Sequence, residues 1–114
     1  KGEVRYRKGN IINEKEIMQI IASSGDSRGA AFEALKEARQ GNFEKAKEKL
    51  MEAKRLIIRA HEVQTKLITK EVKGEKNEVT ILMVHAQDHL MSSILSRDLI
   101  EQMVLILEEN NIGG

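Results

Sequence analysis

The sequence predicts an all-α protein, an antiparallel three-helix bundle whose third helix also pairs with other copies of the chain. Three observations predict this. Proline is absent from all 114 residues, while Glu, Lys and Ala are frequent, and these are good helix formers. Apolar residues recur at helical spacing in three stretches, separated at residues 40–42 and by a charged run over residues 70–77. The third stretch carries two apolar seams, one more than a helix needs inside a three-helix bundle.

The first helix is expected to start near Asn13, which is placed to cap it, with Glu16 three residues on and Ile12 and Ile17 as a hydrophobic staple. Ile17, Ile21, Ser24, Ala31, Leu35 and Ala38 then trace its inner face. Gly25 and Gly29 weaken the middle by roughly 1 kcal/mol each against Ala, so they mark either a bend or the close approach of a neighbour. Gly41 suits the residue just past the helix end.

The second helix follows at once, with Asn42 as its N-cap. Phe43, Ala46, Leu50, Ala53, Ile57, Ala60, Gln64 and Leu67 share one face, while Glu44, Lys45, Lys47, Glu48 and Lys49 form a solvated one. Residues 70–77, charged and centred on Gly74, read as an exposed loop.

The third helix is expected from just after Asn77 to about Asn110. One seam runs Val79, Met83, Ala86, Leu90, Ser93. The other runs Ile81, Val84, Asp88, Met91, Leu95, Leu99. The second seam needs a partner, and the same helix of another copy is the simplest one.

Composition narrows the function. There is no Cys, which excludes a disulfide framework and a thiol nucleophile. Net charge is +1, from 19 basic and 18 acidic residues, so bulk charge gives no case for nucleic acid. Tyr6, Phe32 and Phe43 are the only aromatic residues, too few to form a base-stacking platform. No apolar run is long enough to span a membrane. Residues 1–10 lack the apolar stretch of a signal peptide, and residues 1–12 are expected to be a disordered or non-native leader.

Several polar residues interrupt the apolar pattern. Asp88 replaces an apolar residue in the second seam. A buried lone carboxylate there would need a cation or shared protons; at the seam's edge it would simply be solvated. His85 and His89 stand one turn apart, with Asp88 on the same side of the helix. This set suits a transition-metal site, a nucleophilic imidazole with its neighbours orienting it, or two ordinary histidines. Arg28 falls on the first helix's apolar stripe, where its stem covers the core edge or its head meets an acid or phosphate. His61 flanks the second helix's stripe and reads as a core histidine satisfied by a hydrogen bond.

The segment Val84-His85-Ala86-Gln87-Asp88-His89-Leu90-Met91 resembles the signature of the phosphotransferase-system IIA proteins for lactose, cellobiose and diacetylchitobiose. Ser24-Gly25-Asp26-Ser27-Arg28, Gln40-Gly41-Asn42-Phe43 and Ala60-His61-Glu62-Val63-Gln64-Thr65 agree in order and spacing. The resemblance covers residues 13–110 as one domain and leaves 111–114 as a tail.

It implies a cytoplasmic homotrimer built around the third helices. It implies that His85 takes a phosphoryl group, at its tele nitrogen, from the carrier protein HPr. His85 then passes the group to a cysteine of the IIB subunit, and sugar enters through the membrane subunit IIC. Gln87 and His89 support His85 on this reading, and Asp88 holds one Mg²⁺ at the threefold axis, where hard oxygen ligands suit the ion. Ala86 after His85 leans toward cellobiose or chitobiose. The alternatives are a non-catalytic helical interaction module or a small metalloprotein using His85, Asp88 and His89.

Overall fold

A computed structural model describes residues 2–75 and 80–111, with side chains from Glu14 onward. Three helices run in order: α1 (Gly2–Arg39), α2 (Phe43–Val72) and α3 (Ile81–Glu109). The expected start near Asn13 is corrected, because α1 already runs from Gly2 through that position. No proline interrupts the stretch, and its Lys, Arg and Glu residues tolerate helix well. The side chains of Ile12 and Asn13, on which the cap and staple were placed, lie outside the described residues.

The α1–α2 turn forms as its residues require. Gly41 adopts φ +83°, a left-handed conformation that is costly for any residue with a Cβ. The Gly41 amide donates to the Ala38 carbonyl. Asn42 is the N-cap of α2, but its side chain makes no capping bond. Instead its Nδ2 donates to Glu37 Oε1 at 2.9 Å and ties the turn back to α1. At the other end, α2 continues three residues into the expected loop, to Val72. α3 begins at Ile81, where Thr80 Oγ1 accepts from the Met83 amide at 3.1 Å. Asn77 and Val79, expected at its start, lie outside the described residues.

The core shows the chain directions. Ile17 and Ile20 from early α1 pack with Ala60, Val63 and Leu67 from late α2 and with Ala86 and Leu90 from early α3. Ala30, Ala31, Ala34 and Ala38 from late α1 pack with Ala46, Leu50 and Ala53 from early α2 and with Ile100 and Val104 from late α3. Hence α2 is antiparallel to both other helices. The many alanines let the helix backbones approach closely.

A polar layer separates the two apolar clusters. Ser24, Ser27 and Ser93 are fully buried there, with Arg97 8% exposed. Ser27 Oγ donates to the Ala53 carbonyl at 2.7 Å. Among the described residues the hydroxyls of Ser24 and Ser93 have no partner.

The two seams of α3 divide as their spacing suggests. Ala86, Leu90 and Ser93 are buried, followed by Arg97, Ile100 and Val104. Ile81, Val84, Met91, Leu95 and Leu99 are all at least half exposed. The described chain therefore leaves a whole apolar face of its most apolar helix uncovered.

Candidate functional site

His85 and His89 occupy consecutive turns near the start of α3. The run of apolar residues around them, opened by the Thr80 cap, keeps this segment helical. Ala86 and Leu90, their neighbours in sequence, anchor that turn in the core. His85 is therefore held at the surface, exposed, and His89 half-buried. The rings stack with centroids 5.9 Å apart and planes inclined by 12°, a separation at which aromatic rings attract. No side chain among the described residues hydrogen-bonds to either ring.

α1 forms the wall behind the pair. Gly25 faces His89, and a Cβ at that position would stand 3.4 Å from His89 Nε2. Of the two outcomes expected for the mid-helix glycines, Gly25 is thus the close approach. Gly29, one turn on, faces open space.

Gln87 points elsewhere. Two residues from His85, it lies nearly opposite on the helix. Its Oε1 accepts a hydrogen bond from Gln64 Nε2 of α2. Gln64 thus pairs with the signature at a point no spacing argument within one helix would find. His61 is exposed, a correction to the expected core histidine, and only its backbone carbonyl is engaged, by Thr65 Oγ1 at 2.9 Å. It sits one residue beyond the buried Ala60, outside the narrow strip that α1 covers. Arg28 is exposed as well, its head in water.

Residues 15–108 match the family described as the lactose/cellobiose-specific IIA subunit of the PTS, the phosphotransferase system. The chain belongs to this family.

Relatives agree along nearly the whole chain. The lichenan-specific phosphotransferase IIA component of Bacillus subtilis is 43% identical over 96 residues, covering 84% of this chain and 87% of its own. The N,N'-diacetylchitobiose-specific IIA component of Escherichia coli is 42% identical, covering 84% and 83%. The crystal structure of the cellobiose-specific enzyme IIA of Bacillus anthracis superposes with a TM-score of 0.85 at 40% identity, over 89% of this chain and 93% of that one. The IIA(chitobiose) of the Escherichia coli IIA–HPr complex gives 0.74 at 41%, over 84% and 93%. This IIA subunit is accordingly a phosphotransferase component of a sugar transport system.

Asp88 of this IIA subunit is exposed, on the open face of α3 between Val84 and Met91. Among the described residues no three His, Cys, Asp or Glu side chains come together to hold a metal. One chain supplies one hard oxygen donor here, so the donor type fits Mg²⁺ while the donor number requires several copies.

Arg97 lies outside the signature and carries no motif of its own. It is buried on the inner seam of α3, forks onto Glu101 with two 3.2 Å bonds, and reaches the Leu50 carbonyl of α2 at 3.4 Å. The signal was available: Arg97 continues the 86, 90, 93 spacing and has an acid four residues on. It braces α2 against α3 about 18 Å along the helix from His85. No helix among the described residues is long and apolar enough to cross a membrane.

Proposed function

We propose that this IIA component accepts a phosphoryl group on His85 from the phosphohistidine of HPr and donates it to a cysteine of IIB. The observation that carries this is the exposed His85, its ring stacked nearly parallel to that of His89. A carrier must present one nucleophilic atom to two partners in turn. A parallel stack covers a ring face and leaves the in-plane lone pair uncovered.

The transfer balances simply. Neutral His85 attacks phosphorus through its tele nitrogen, a new N–P bond forms, and the N–P bond to the HPr imidazole breaks with its electron pair. The IIB thiolate then attacks the same phosphorus and His85 leaves as neutral imidazole. Imidazole suits both halves because it is nucleophilic when neutral near physiological pH. The relative solved with HPr supports HPr as the donor. IIB and, behind it, the membrane subunit IIC complete a cytoplasmic relay for disaccharide uptake. The domain spans residues 13–110, with residues 1–12 and 111–114 outside it.

The uncovered apolar face of α3 supports assembly as a homotrimer around the third helices. Asp88 from each copy would hold a shared Mg²⁺, and the ion would neutralise carboxylates that otherwise repel. His89 and Gln87 support His85, the first by stacking and the second within its bond to Gln64.

The test is direct. The protein is incubated with enzyme I, HPr and phosphoenolpyruvate, and its intact mass is measured. One acid-labile phosphoryl group per chain is expected, absent from His85→Ala. No added mass in the parent, or full labelling of His85→Ala, overturns the reading.

A further inference from the structure

We infer that Gly25 is a positioning residue for phosphoryl transfer, acting from α1 through His89 on His85. The inference rests on reading His85 as the acceptor.

His89 has no hydrogen bond among the described residues to hold its ring, yet His85 stacks on it at 5.9 Å with the planes nearly parallel. Two described surfaces meet the ring of His89. One is the His85 ring itself. The other is the α1 backbone at Gly25, where a Cβ would come to 3.4 Å from His89 Nε2. That distance is ordinary contact for one methyl group, and a longer side chain would reach past it toward the ring. Gly25 therefore keeps α1 clear where the Nε2 corner of His89 meets it, and His85 lies nearly parallel to the ring seated there.

The consequence is chemical. An imidazole attacks phosphorus along the in-plane lone pair of a ring nitrogen, so the plane of the ring sets the line of attack. Hydrogen bonding fixes a ring plane by occupying one nitrogen. A stack fixes the plane and occupies neither. Displacing His89 would free the His85 ring to turn about its χ2 bond, and misplacement by about 1 Å can cost roughly 100-fold in rate.

Gly29 offers a matched control, since it lies one turn further along the same helix with nothing within 4 Å of its would-be Cβ. Either glycine replaced by a larger residue gains helix propensity to the same degree. Only the change at Gly25 reaches His89.

The experiment compares Gly25→Ala, Gly25→Leu, Gly29→Leu and His89→Ala in the full chain. The first readout is the rate of phosphoryl transfer from phospho-HPr. The second is the proton chemical shifts of the His85 ring, which a stacked neighbour displaces through its ring current. We expect His89→Ala to move the His85 ring signals toward free-histidine values. Gly25→Leu should do the same and slow transfer at least about tenfold, whereas Gly25→Ala and Gly29→Leu should stay close to the parent.

Unchanged His85 ring signals in His89→Ala overturn the inference, whether or not every Gly25 variant folds. Equal rates for Gly25→Leu and Gly29→Leu overturn it as well. A parent labelled at another residue would instead overturn the acceptor assignment while leaving the stack measurable.

Discussion

The rings of His85 and His89, one helical turn apart, lie with their centroids 5.9 Å apart and their planes only 12° from parallel. The partly buried ring supports the exposed one and binds neither of its nitrogens. The two histidines should therefore respond differently to removal. His85→Ala should lose all labelling and keep its helical circular dichroism, since an exposed side chain adds little to stability. His89→Ala should still be labelled, more slowly by about tenfold. Labelling lost in His89→Ala and kept in His85→Ala would reverse the assignment.

Asp88 stands exposed among Val84, Met91 and Leu95 on the open face of α3. If copies of that face meet, the carboxylates are drawn together in apolar surroundings, where repulsion and desolvation oppose assembly. Asp88→Leu removes both costs, and such replacements are often neutral or stabilising by about 1–4 kcal/mol. Asp88→Leu should sediment as a trimer, ignore chelator and melt no lower than the parent. The parent should lose thermal stability in excess chelator. A monomeric Asp88→Leu would show that the carboxylate makes specific contacts.

The buried serines should divide by their hydrogen bonds. Ser27 Oγ donates to the Ala53 carbonyl, so Ser27→Ala should lower stability by about 1 kcal/mol. The Ser93 hydroxyl is equally buried and has no partner among the described residues. Ser93→Ala removes an uncompensated polar atom and should leave stability unchanged or raise it. Urea unfolding of both variants checks this, and an equal loss in the two would point to a partner for Ser93.

Lys47 and Lys49 give the expected pH dependence. The hydrogen bond to Glu108, then its charge, holds the Lys47 ammonium above its ordinary value of 10.5, and Glu33 does the same for Lys49. A folded-state value above the unfolded one means the contribution is complete below about 10.5 and fades as pH rises through the folded value. Both ammonium groups lie at the surface, on side chains 47% and 39% exposed, so the effect is small and screened by salt. The melting temperature of Lys47→Met should lie slightly below the parent's at neutral pH in low salt. That gap should close above pH 10.5 and in high salt.

Much of this protein was already determined along single helices. Proline-free stretches rich in Glu, Lys and Ala specified three helices, Gly41 specified the first turn, and the spacing of α3 separated its two seams. His85 and His89, four residues apart, had to share a side. These are relations within one helix, where 3.6 residues per turn links sequence distance to angle. The same logic could not find the true start of α1, because no breaker stands at Asn13 to end the helix there.

Only the tertiary structure decided what one helix presents to another. It put Gly25 rather than Gly29 against His89, paired Gln64 with Gln87, and set Arg97 on the Leu50 carbonyl. It also left His61 in water, though that residue borders a buried stripe. Each outcome depends on how closely two backbones approach at one level of the bundle. That approach is set by the summed packing of alanines, serines and larger side chains from all three helices, and no spacing within one of them encodes it.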